Sequence, residues 1–383
     1  MARRLLVEAG PFETRLALIE GGDPVEFRLW PAGHQSRVGE LRAGRINATE
    51  AALGAYFIDI GLDRPAFLKR KDAPGATEGS LLVVEVLRDA AEGKAARVSA
   101  RTPDAREATV ATKAPALLRE APHPAARLAR ERAVDTIRLA GTGASLAGFR
   151  IAMAEAAPTA TLEIGHGVTD LFVAEGIADA FDACLAPTLA LDSGVRLTID
   201  ETEALTAIDI DGGALSPRRA NEAGAGLAAR AIRLRNLSGQ IVIDFTGDAA
   251  AIAAGRAVLA RALASDPSRP ELAKGDLNGL VLVTRQRVGD SVTRATTVPC
   301  PVASGRWVSP GHLAARLCRR IEAAAQARPG RPLRALVPDD VARYLEGTGA
   351  EAFAALRLSL GATLRLEQTP APLPRDVTVT VES

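Results

Sequence analysis

Two short stretches decide how the middle of this chain folds: TEALTAIDID at Thr202–Asp211 and RLRNLSGQIVIDF at Arg233–Phe245. Strand patterns run over Ala204–Ile210 and Gln240–Phe245, and a helical pattern runs over Asn221–Arg235 between them. A strand, a helix and a second strand in this order predict an α/β layer in which the two strands end close together. Each of the two strand patterns ends beside an aspartate.

These aspartates, Asp209 and Asp244, stand where apolar strands stop. A charge at the end of a buried strand is unfavourable unless it is paired or bound to a metal. Two carboxylates on neighbouring strands are suited to a hard divalent cation, which prefers oxygen ligands. The pattern has a second interpretation, because acids at strand ends also cap turns and the helices that follow them. The residues by themselves leave both interpretations open.

The α/β pattern continues on both sides of this layer. It predicts a strand at Val195–Ile199, a helix at Ala249–Ala264 and a strand at Leu280–Thr284. Beyond Cys300 it predicts one helix, one strand, one helix and two C-terminal strands, of which the first three lie at His312–Ala327, Leu333–Val337 and Pro338–Tyr344.

The N-terminal third is rich in strand patterns. Three are predicted at Arg4–Glu8, at Thr14–Glu20 and near Val25–Leu29. Short apolar runs separated by glycine-containing turns then continue to Arg101, which predicts a small barrel. The next segment predicts one amphipathic helix at Leu117–Val134, capped or broken around two prolines, and a mixed α/β region follows.

Length and composition set further limits. The chain has 383 residues, 47% of them hydrophobic and 24% charged, which indicates a globular protein of two or three domains. The formal net charge of +1 argues mildly against a nucleic-acid binder, although a total hides local patches. The three cysteines are widely spaced, which predicts a reducing compartment. The sequence shows no leader pattern and no long apolar run, so we expect a soluble, cytoplasmic protein without a membrane partner.

The two aspartate-ended stretches resemble the catalytic segment of the ribonuclease E/G family. The resemblance implies that Asp209 and Asp244 bind magnesium, with Mn²⁺ as a substitute, for hydrolysis of RNA phosphodiesters. That family usually has asparagine two residues after the first aspartate, where this chain has Asp211. The substitution keeps an oxygen ligand and adds a negative charge, and we expect Asp211 to assist catalysis.

A second resemblance concerns the barrel. The segments Gly44–Ile46, Gly54–Leu62 and Ala66–Leu68 are similar to the S1 RNA-binding domain of the same family, which is an OB-fold. The resemblance implies an RNA-binding surface made of two aromatic rings and nearby cations: Phe57, Phe67, Lys69, Lys71 and Lys94. From the residues alone, such a basic run would more often be a solvated face. Tyr56 and Phe57 are adjacent, so one points inward and the other outward.

A third group of residues is basic. The helical stretch that separates the two aspartates carries several arginines with a single glutamate among them: Arg218, Arg219, Arg230, Arg233, Arg235 and Glu222. Arginines near a metal site can bind phosphate, and we expect Arg230 and Arg233 to contact RNA. Ordinary solvation of a helix surface explains them equally well.

The resemblance implies an α+β multidomain fold. An S1 (OB-fold) β-barrel is expected inside an RNase H-like α/β subdomain, followed by a DNase I-like catalytic domain. The expected segments are residues 1–34 and 103–192 for the RNase H-like parts, 35–102 for the S1 domain, 193–298 for the catalytic domain and 299–383 for a degenerate zinc-link and ribonuclease G-like α/β region.

Two departures from the family pattern change the expectations. The segment from Arg101 to about Pro158 is too short for a complete 5′-sensor domain, so we expect activity that does not depend on a 5′-monophosphate. The family's zinc-link motif CPxC corresponds to Cys300–Ala303, where the second cysteine is replaced by alanine. We therefore expect no tightly held zinc, and a homodimer, if it forms, that lacks a complete zinc link.

The sequence thus predicts a Mg²⁺-dependent endoribonuclease that acts on single-stranded RNA, either an rRNA precursor or an mRNA. The alternatives are a non-catalytic RNA-binding factor on the same scaffold and, less favoured, a metal-dependent DNA nuclease. Paired acids argue for the enzyme, because a protein that only binds RNA has no need of them.

Overall fold

The computed structural model describes residues 2–32, 36–90, 94–107, 113–141, 143–275, 277–300, 305–369 and 375–382. By internal contacts the chain forms two compact units. The first unit combines Met1–Ala32 with Arg132–Ser383, and the second unit is Gly33–Glu131. Among the helices of the described residues, none has the length and apolar character needed to cross a membrane.

The first unit starts with three antiparallel strands, as the sequence predicts. They are β1 (Arg3–Ala9), β2 (Glu13–Glu20) and β3 (Asp23–Pro31).

The second unit contains the predicted barrel, whose strands close in the order β4-β5-β6-β8-β7 and back to β4. Gly44 lies at the closure, where a Cβ atom would stand 2.7 Å from the carbonyl oxygen of Asp59. The absence of a side chain at Gly44 therefore lets one strand pair with two neighbours. The elements are β4 (Leu41–Glu50), β5 (Ala55–Asp59), β6 (Ala66–Lys69), β7 (Leu81–Arg88), β8 (Arg97–Ser99), α1 (Pro103–Glu107), β9 (Ala116–Arg119) and α2 (Pro124–Arg132).

The prediction of one helix at Leu117–Val134 was wrong in its first part. Residues Ala116–Arg119 form β9, which pairs with β4, and the helix begins only at Pro124. The backbone of β4 offers hydrogen bonds that a local helical pattern cannot reveal, and Pro122 and Pro124 favour a helix start over a helix interior.

After the second unit the chain completes the first sheet. The new elements are β10 (Thr136–Gly141), α3 (Gly143–Ala156), β11 (Thr161–Ile164), α4 (Leu171–Ala174) and α5 (Ala178–Ala183). The sheet has the order β11-β10-β1-β2-β3, in which β10 is parallel to both β1 and β11. Its strands β1 to β3 are antiparallel to one another.

The second sheet of the first unit contains both aspartate-ended strands and has the order β12-β13-β14-β15-β17-β16. Helices α6 and α7 pack on one of its faces, where Ile208, Ile243 and Leu259 belong to a common buried core. Helix α6 begins at Pro217, four residues before the predicted start. The elements are β12 (Thr188–Ala190), β13 (Arg196–Glu201), β14 (Leu205–Asp211), α6 (Pro217–Leu234), β15 (Gly239–Asp244), α7 (Ala249–Leu263), β16 (Glu271–Leu272) and β17 (Leu280–Arg285).

The C-terminal part adds two small sheets, a pair of strands β18-β19 and a three-stranded sheet β21-β20-β22. The predicted helix near His312 and the strand near Leu333 are confirmed, whereas helix α11 was not predicted. The elements are α8 (Val292–Thr296), β18 (Thr297–Pro299), β19 (Arg306–Val308), α9 (Pro310–Ala327), β20 (Leu333–Pro338), α10 (Asp339–Glu346), α11 (Ala350–Ser359), β21 (Leu364–Thr369) and β22 (Thr378–Val381).

Candidate active site

The two aspartates of the sequence pattern are direct neighbours. Strands β14 and β15 run parallel, and Asp209 pairs with Asp244 in their register. Adjacent strands lie about 4.8 Å apart, so both carboxylates can reach one small cation. The parallel arrangement results from α6, which returns the chain to the edge of the sheet at which β14 began.

Both carboxylates lie on the open face of this sheet. Along β14 and β15 the isoleucines are buried on the helix-covered side, while Asp209 and Asp244 are exposed. Because paired residues of neighbouring strands point to the same side, the two acids share one face. The expectation that burial would force these acids to find a partner is therefore wrong, since solvent reaches both of them.

Asn221 fixes the backbone that follows Asp244. Its side chain is fully buried in α6. Its amide nitrogen donates to the carbonyl oxygen of Thr246 over 2.8 Å, and its amide oxygen accepts from the backbone nitrogen of Thr246 over 3.1 Å. In the sequence, Asn221 is predicted only as the first residue of a helix. The sequence signal that could have identified it was a polar residue among the small residues with which α6 packs on the sheet.

Gly279 borders Asp244 on the other side. Its carbonyl oxygen accepts a hydrogen bond from the backbone nitrogen of Phe245 over 3.1 Å. Its φ angle is +99°, and a Cβ atom there would lie 2.6 Å from the carbonyl oxygen of Phe245. A side chain at this position would therefore clash with the backbone of Phe245 and push the loop away from the end of β15.

Asp211 lies on the same open face and is already engaged. Arg196 is its register partner on β13, and Nη2 of Arg196 lies 2.5 Å from Oδ2 of Asp211. The backbone nitrogen of Gly213 donates to Oδ1 over 3.0 Å. This backbone hydrogen bond, followed by the guanidinium, lowers the pKa of Asp211 from its ordinary value. Asp211 is thus ionised at neutral pH and bonded at both oxygens.

The donor set fits magnesium better than zinc. In the described part of the chain, no group of three or more His, Cys, Asp and Glu side chains is close enough to hold a metal ion. Magnesium is commonly bound through one or two carboxylates together with water and substrate phosphate, whereas structural zinc requires a closed set of four ligands. Asp209 and Asp244 match the first description.

The arginines of α6 do not form one patch. Arg218 and Arg219 are exposed in the first turn, at the edge of the sheet where β14 ends. Arg230 is also exposed but lies about 17 Å further along the helix at about 1.5 Å per residue. Arg233 donates to both carboxylate oxygens of Glu20, over 3.0 and 2.8 Å. RNA contacts by Arg230 and Arg233 remain predictions, and the structure separates both residues from the acid pair.

Arg235 has a structural environment. It is 2% exposed. Its guanidinium donates to the carbonyl oxygens of Ala186 and Ala183 over 2.8 and 3.1 Å. These bonds join the end of α6 to the end of α5 and to the loop before β12.

In the second unit, two phenylalanines form a pair on the outer surface of the barrel. Phe57 on β5 pairs in register with Phe67 on β6, and their ring centroids are 6.3 Å apart at 79°. Both rings are half-buried, whereas Tyr56 is buried in the core and donates its hydroxyl to the carbonyl oxygen of Ala76. The prediction that Tyr56 and Phe57 point to opposite sides is confirmed.

Several cations lie on the strands of this aromatic pair or in the segments next to them. Lys69 ends β6 and is half-buried, while Lys71 and Lys94 are exposed. Arg97 on β8, which the sequence analysis did not select, pairs in register with Phe67. Its Nε atom is buried and has no hydrogen-bond partner among the described residues. In β8 the charged Arg97 alternates with the buried Val98, and this alternation of charged and apolar residues is the sequence signal that could have identified Arg97.

The cysteines divide into two kinds. Cys184 and Cys318 are buried, and burial raises the pKa of Cys184 to about 11. Cys300 is half-buried, and its backbone nitrogen donates to the carbonyl oxygen of Gly305. The rest of the zinc-link segment, Pro301–Ser304, lies outside the described residues, so the prediction about zinc remains a prediction.

Comparison with known proteins gives a consistent picture. The model of the ribonuclease E/G family matches residues 88–288. Ribonuclease G of Salmonella typhimurium is 25% identical over 480 residues, covering 97% of this chain and 98% of that protein. Ribonuclease G of Escherichia coli is 26% identical over 80% of this chain and 84% of its own length. Ribonuclease E of Escherichia coli is 32% identical over 48% of this chain and 18% of its own length.

Proposed function

Since this chain belongs to the ribonuclease E/G family, we propose that it is an endoribonuclease that cleaves internal phosphodiester bonds of single-stranded RNA during RNA processing or decay. The observation that carries this proposal is the register pairing of Asp209 with Asp244 on an open sheet face. A pair of exposed carboxylates at neighbouring strand ends serves no packing purpose, whereas it is suited to a divalent cation.

In this proposal Asp209 and Asp244 hold Mg²⁺, for which Mn²⁺ can substitute. The bound cation supplies an activated water and neutralises charge on the phosphate. Asn221 and Gly279 keep Asp244 at the edge of the sheet through their contacts with the backbone of Phe245 and Thr246. The exposed Arg219 can bind phosphates of the RNA strand, whereas the exposed Arg218 is already paired with Glu222 over 3.1 Å.

The barrel is proposed to hold the single strand. Half-buried aromatic rings on an outer barrel surface can stack bases without sequence preference. Phe57 and Phe67 supply the rings, and Lys69, Lys71 and Lys94 supply charges for the backbone. Arg97 joins them, since it is half-buried and pairs in register with Phe67.

We also propose an identity for each domain, on the basis of the sheet topology. The first sheet, with antiparallel β1 to β3 and parallel β10 and β11, supports an RNase H-like subdomain. The sheet of the acid pair then corresponds to a DNase I-like catalytic domain. The closed barrel between β3 and β10 corresponds to an inserted S1 domain.

Several finer properties belong to the same proposal. The substrate is an rRNA precursor or an mRNA, and the protein acts in the cytoplasm. Cleavage does not require a 5′-monophosphate. The protein holds no tight zinc, and any homodimer forms without a complete zinc link.

The proposal is tested by substituting each aspartate. Native protein, Asp209→Asn and Asp244→Asn are incubated with an end-labelled, AU-rich single-stranded RNA in Mg²⁺ or EDTA, and binding is measured in parallel. We expect cleavage by the native protein only with Mg²⁺. Each variant should bind RNA but lose cleavage by on the order of a hundredfold or more.

Asp179→Asn is the matched control, because Asp179 is an exposed aspartate of α5 and does not belong to the sheet of the acid pair. It should cleave at the native rate. Native protein that binds RNA but never cuts it would instead identify a binding factor. Binding of DNA as tight as that of RNA would favour the DNA nuclease.

A further inference from the structure

An arginine faces the third aspartate of the open sheet face. Arg196 and Asp211 are paired across β13 and β14, with Nη2 of the arginine 2.5 Å from Oδ2 of the aspartate. The backbone nitrogen of Gly213 donates a hydrogen bond to Oδ1 of Asp211. Each oxygen of Asp211 thus accepts one hydrogen bond from the protein.

Stability does not account for this ion pair. The side chains of Arg196 and Asp211 are 56% and 46% exposed, and solvent screens pairs of this kind so that they contribute little to folding. Their location gives them another role. Asp211 follows Asp209 by two residues on the same face, at a separation of about 7 Å. A net charge at that separation acts on whatever Asp209 and Asp244 bind.

We propose that Arg196 is a positioning residue that keeps Asp211 out of the coordination of the divalent cation and cancels its charge at the acid pair. The inference rests on the proposed function, since it requires Asp209 and Asp244 to hold the cation. Loss of Arg196 leaves an additional negative charge beside the site, so cation affinity rises. Loss of Asp211 leaves an additional positive charge, so affinity falls. Loss of both restores the native charge and the native affinity.

The experiment is a titration with Mn²⁺ alone, without RNA, on the full chain after removal of metal by EDTA. Free Mn²⁺ is measured by electron paramagnetic resonance. Arg196→Gln should bind Mn²⁺ about two- to fivefold more tightly and Asp211→Asn about two- to fivefold more weakly, as expected for a unit charge at about 7 Å near water. The double variant Arg196→Gln/Asp211→Asn and the charge-retaining Arg196→Lys should both match the native protein.

A matched control is available in another sheet. Arg334 on β20 and Glu367 on β21 form an ion pair of the same 2.5 Å length, with side chains 44% and 33% exposed. Arg334→Gln therefore removes a comparable exposed pair and should leave Mn²⁺ affinity unchanged. Circular dichroism of every variant identifies any that does not fold, in which case Arg196→Lys and the double variant carry the comparison.

The outcomes distinguish failure of the inference about Arg196 from failure of the proposed function. A double variant as weak as Asp211→Asn would make Asp211 a ligand and overturn the inference. Affinities that do not change in any of these variants, while Asp209→Asn abolishes Mn²⁺ binding, would overturn the inference and leave the proposed function intact. Mn²⁺ binding that is insensitive to Asp209→Asn, or absent in the native protein, would overturn both.

Discussion

Asn221 lies inside α6, and its amide group joins that helix to the strand end that carries Asp244. A fully buried amide that satisfies both backbone groups of one residue leaves two unpaired polar groups when it is removed. Such groups are costly in the interior because water cannot reach them. The role of this residue is to hold the backbone after β15 at a fixed distance from α6.

Replacement of Asn221 by alanine tests that role. We expect Asn221→Ala to lower the free energy of unfolding by about 2 kcal/mol, because Thr246 loses both of its side-chain partners. Cleavage by the folded fraction should also fall, since the backbone beside Asp244 is less restrained. Urea unfolding and RNA cleavage are the measurements. Asn47→Ala, at an exposed position of β4, should change neither, and a variant of Asn221 with native stability would contradict the account.

At the scale of elements, the barrel face brings together residues from three strands. Phe57 on β5, Phe67 on β6 and Arg97 on β8 are consecutive register partners. Strand pairing thus aligns two rings and a guanidinium in one row. A row of this kind suits a single-stranded nucleic acid, because bases stack on rings and phosphates pair with cations.

Arg97→Gln should therefore weaken RNA binding and make it less dependent on salt. One lost phosphate contact lowers the slope of log affinity against log salt by about 0.7 for a single strand. Fluorescence anisotropy at several salt concentrations measures both quantities. Arg119→Gln is the control in the same unit, because Arg119 on β9 is already paired with Asp104. If both variants lowered the slope of log affinity against log salt equally, the effect would come from the total charge of the protein and not from the position of Arg97.

At the scale of the whole molecule, the first unit contains a buried cluster of charged groups between β1, β2 and α9. Glu8 accepts two hydrogen bonds from Arg15, over 2.8 and 3.0 Å. Glu13 lies 2.8 Å from Nδ1 of His312 and accepts from Arg319 over 3.0 Å. These contacts tie the N-terminal strands to a helix about 300 residues later in the chain.

This cluster predicts a pH dependence of stability. Burial by itself would raise the pKa of Glu13, but His312 and Arg319 outweigh it and lower the pKa from 4.5 to about 2. A lowered folded-state pKa stabilises the protein above the unfolded pKa, and that stabilisation is lost as the pH falls from about 4.5 to about 2. A shift of this size corresponds to roughly 3 kcal/mol.

The comparison of native protein with Glu13→Gln measures that contribution. In urea unfolding, the native protein should be more stable than the variant at pH 5 to 6. The difference between them should shrink as the pH is lowered toward 2. A difference that stays constant over this range would show that Glu13 has an ordinary pKa in the folded protein.

The sequence by itself determined the parts of this protein that depend on local pattern. It identified the strands that carry Asp209 and Asp244, the helix between them and the barrel before them, because alternation and turn residues act within short stretches. It also placed the two acids on neighbouring strands, since one helix between two strands leaves few arrangements.

Only the tertiary structure decided which groups are free to act. Glu20 forms an ion pair with Arg233, which lies 213 residues away in the chain. Arg196 on β13 forms another with Asp211 on the neighbouring strand β14. Pairing with β4 made a strand of residues that locally resemble a helix. The side chain of Asn221 can bond to the backbone of Thr246 only because α6 packs beside β15. Each of these outcomes depends on contacts between residues distant in the chain, and such contacts override local preferences because burial and hydrogen bonding in the folded state are worth more than propensity.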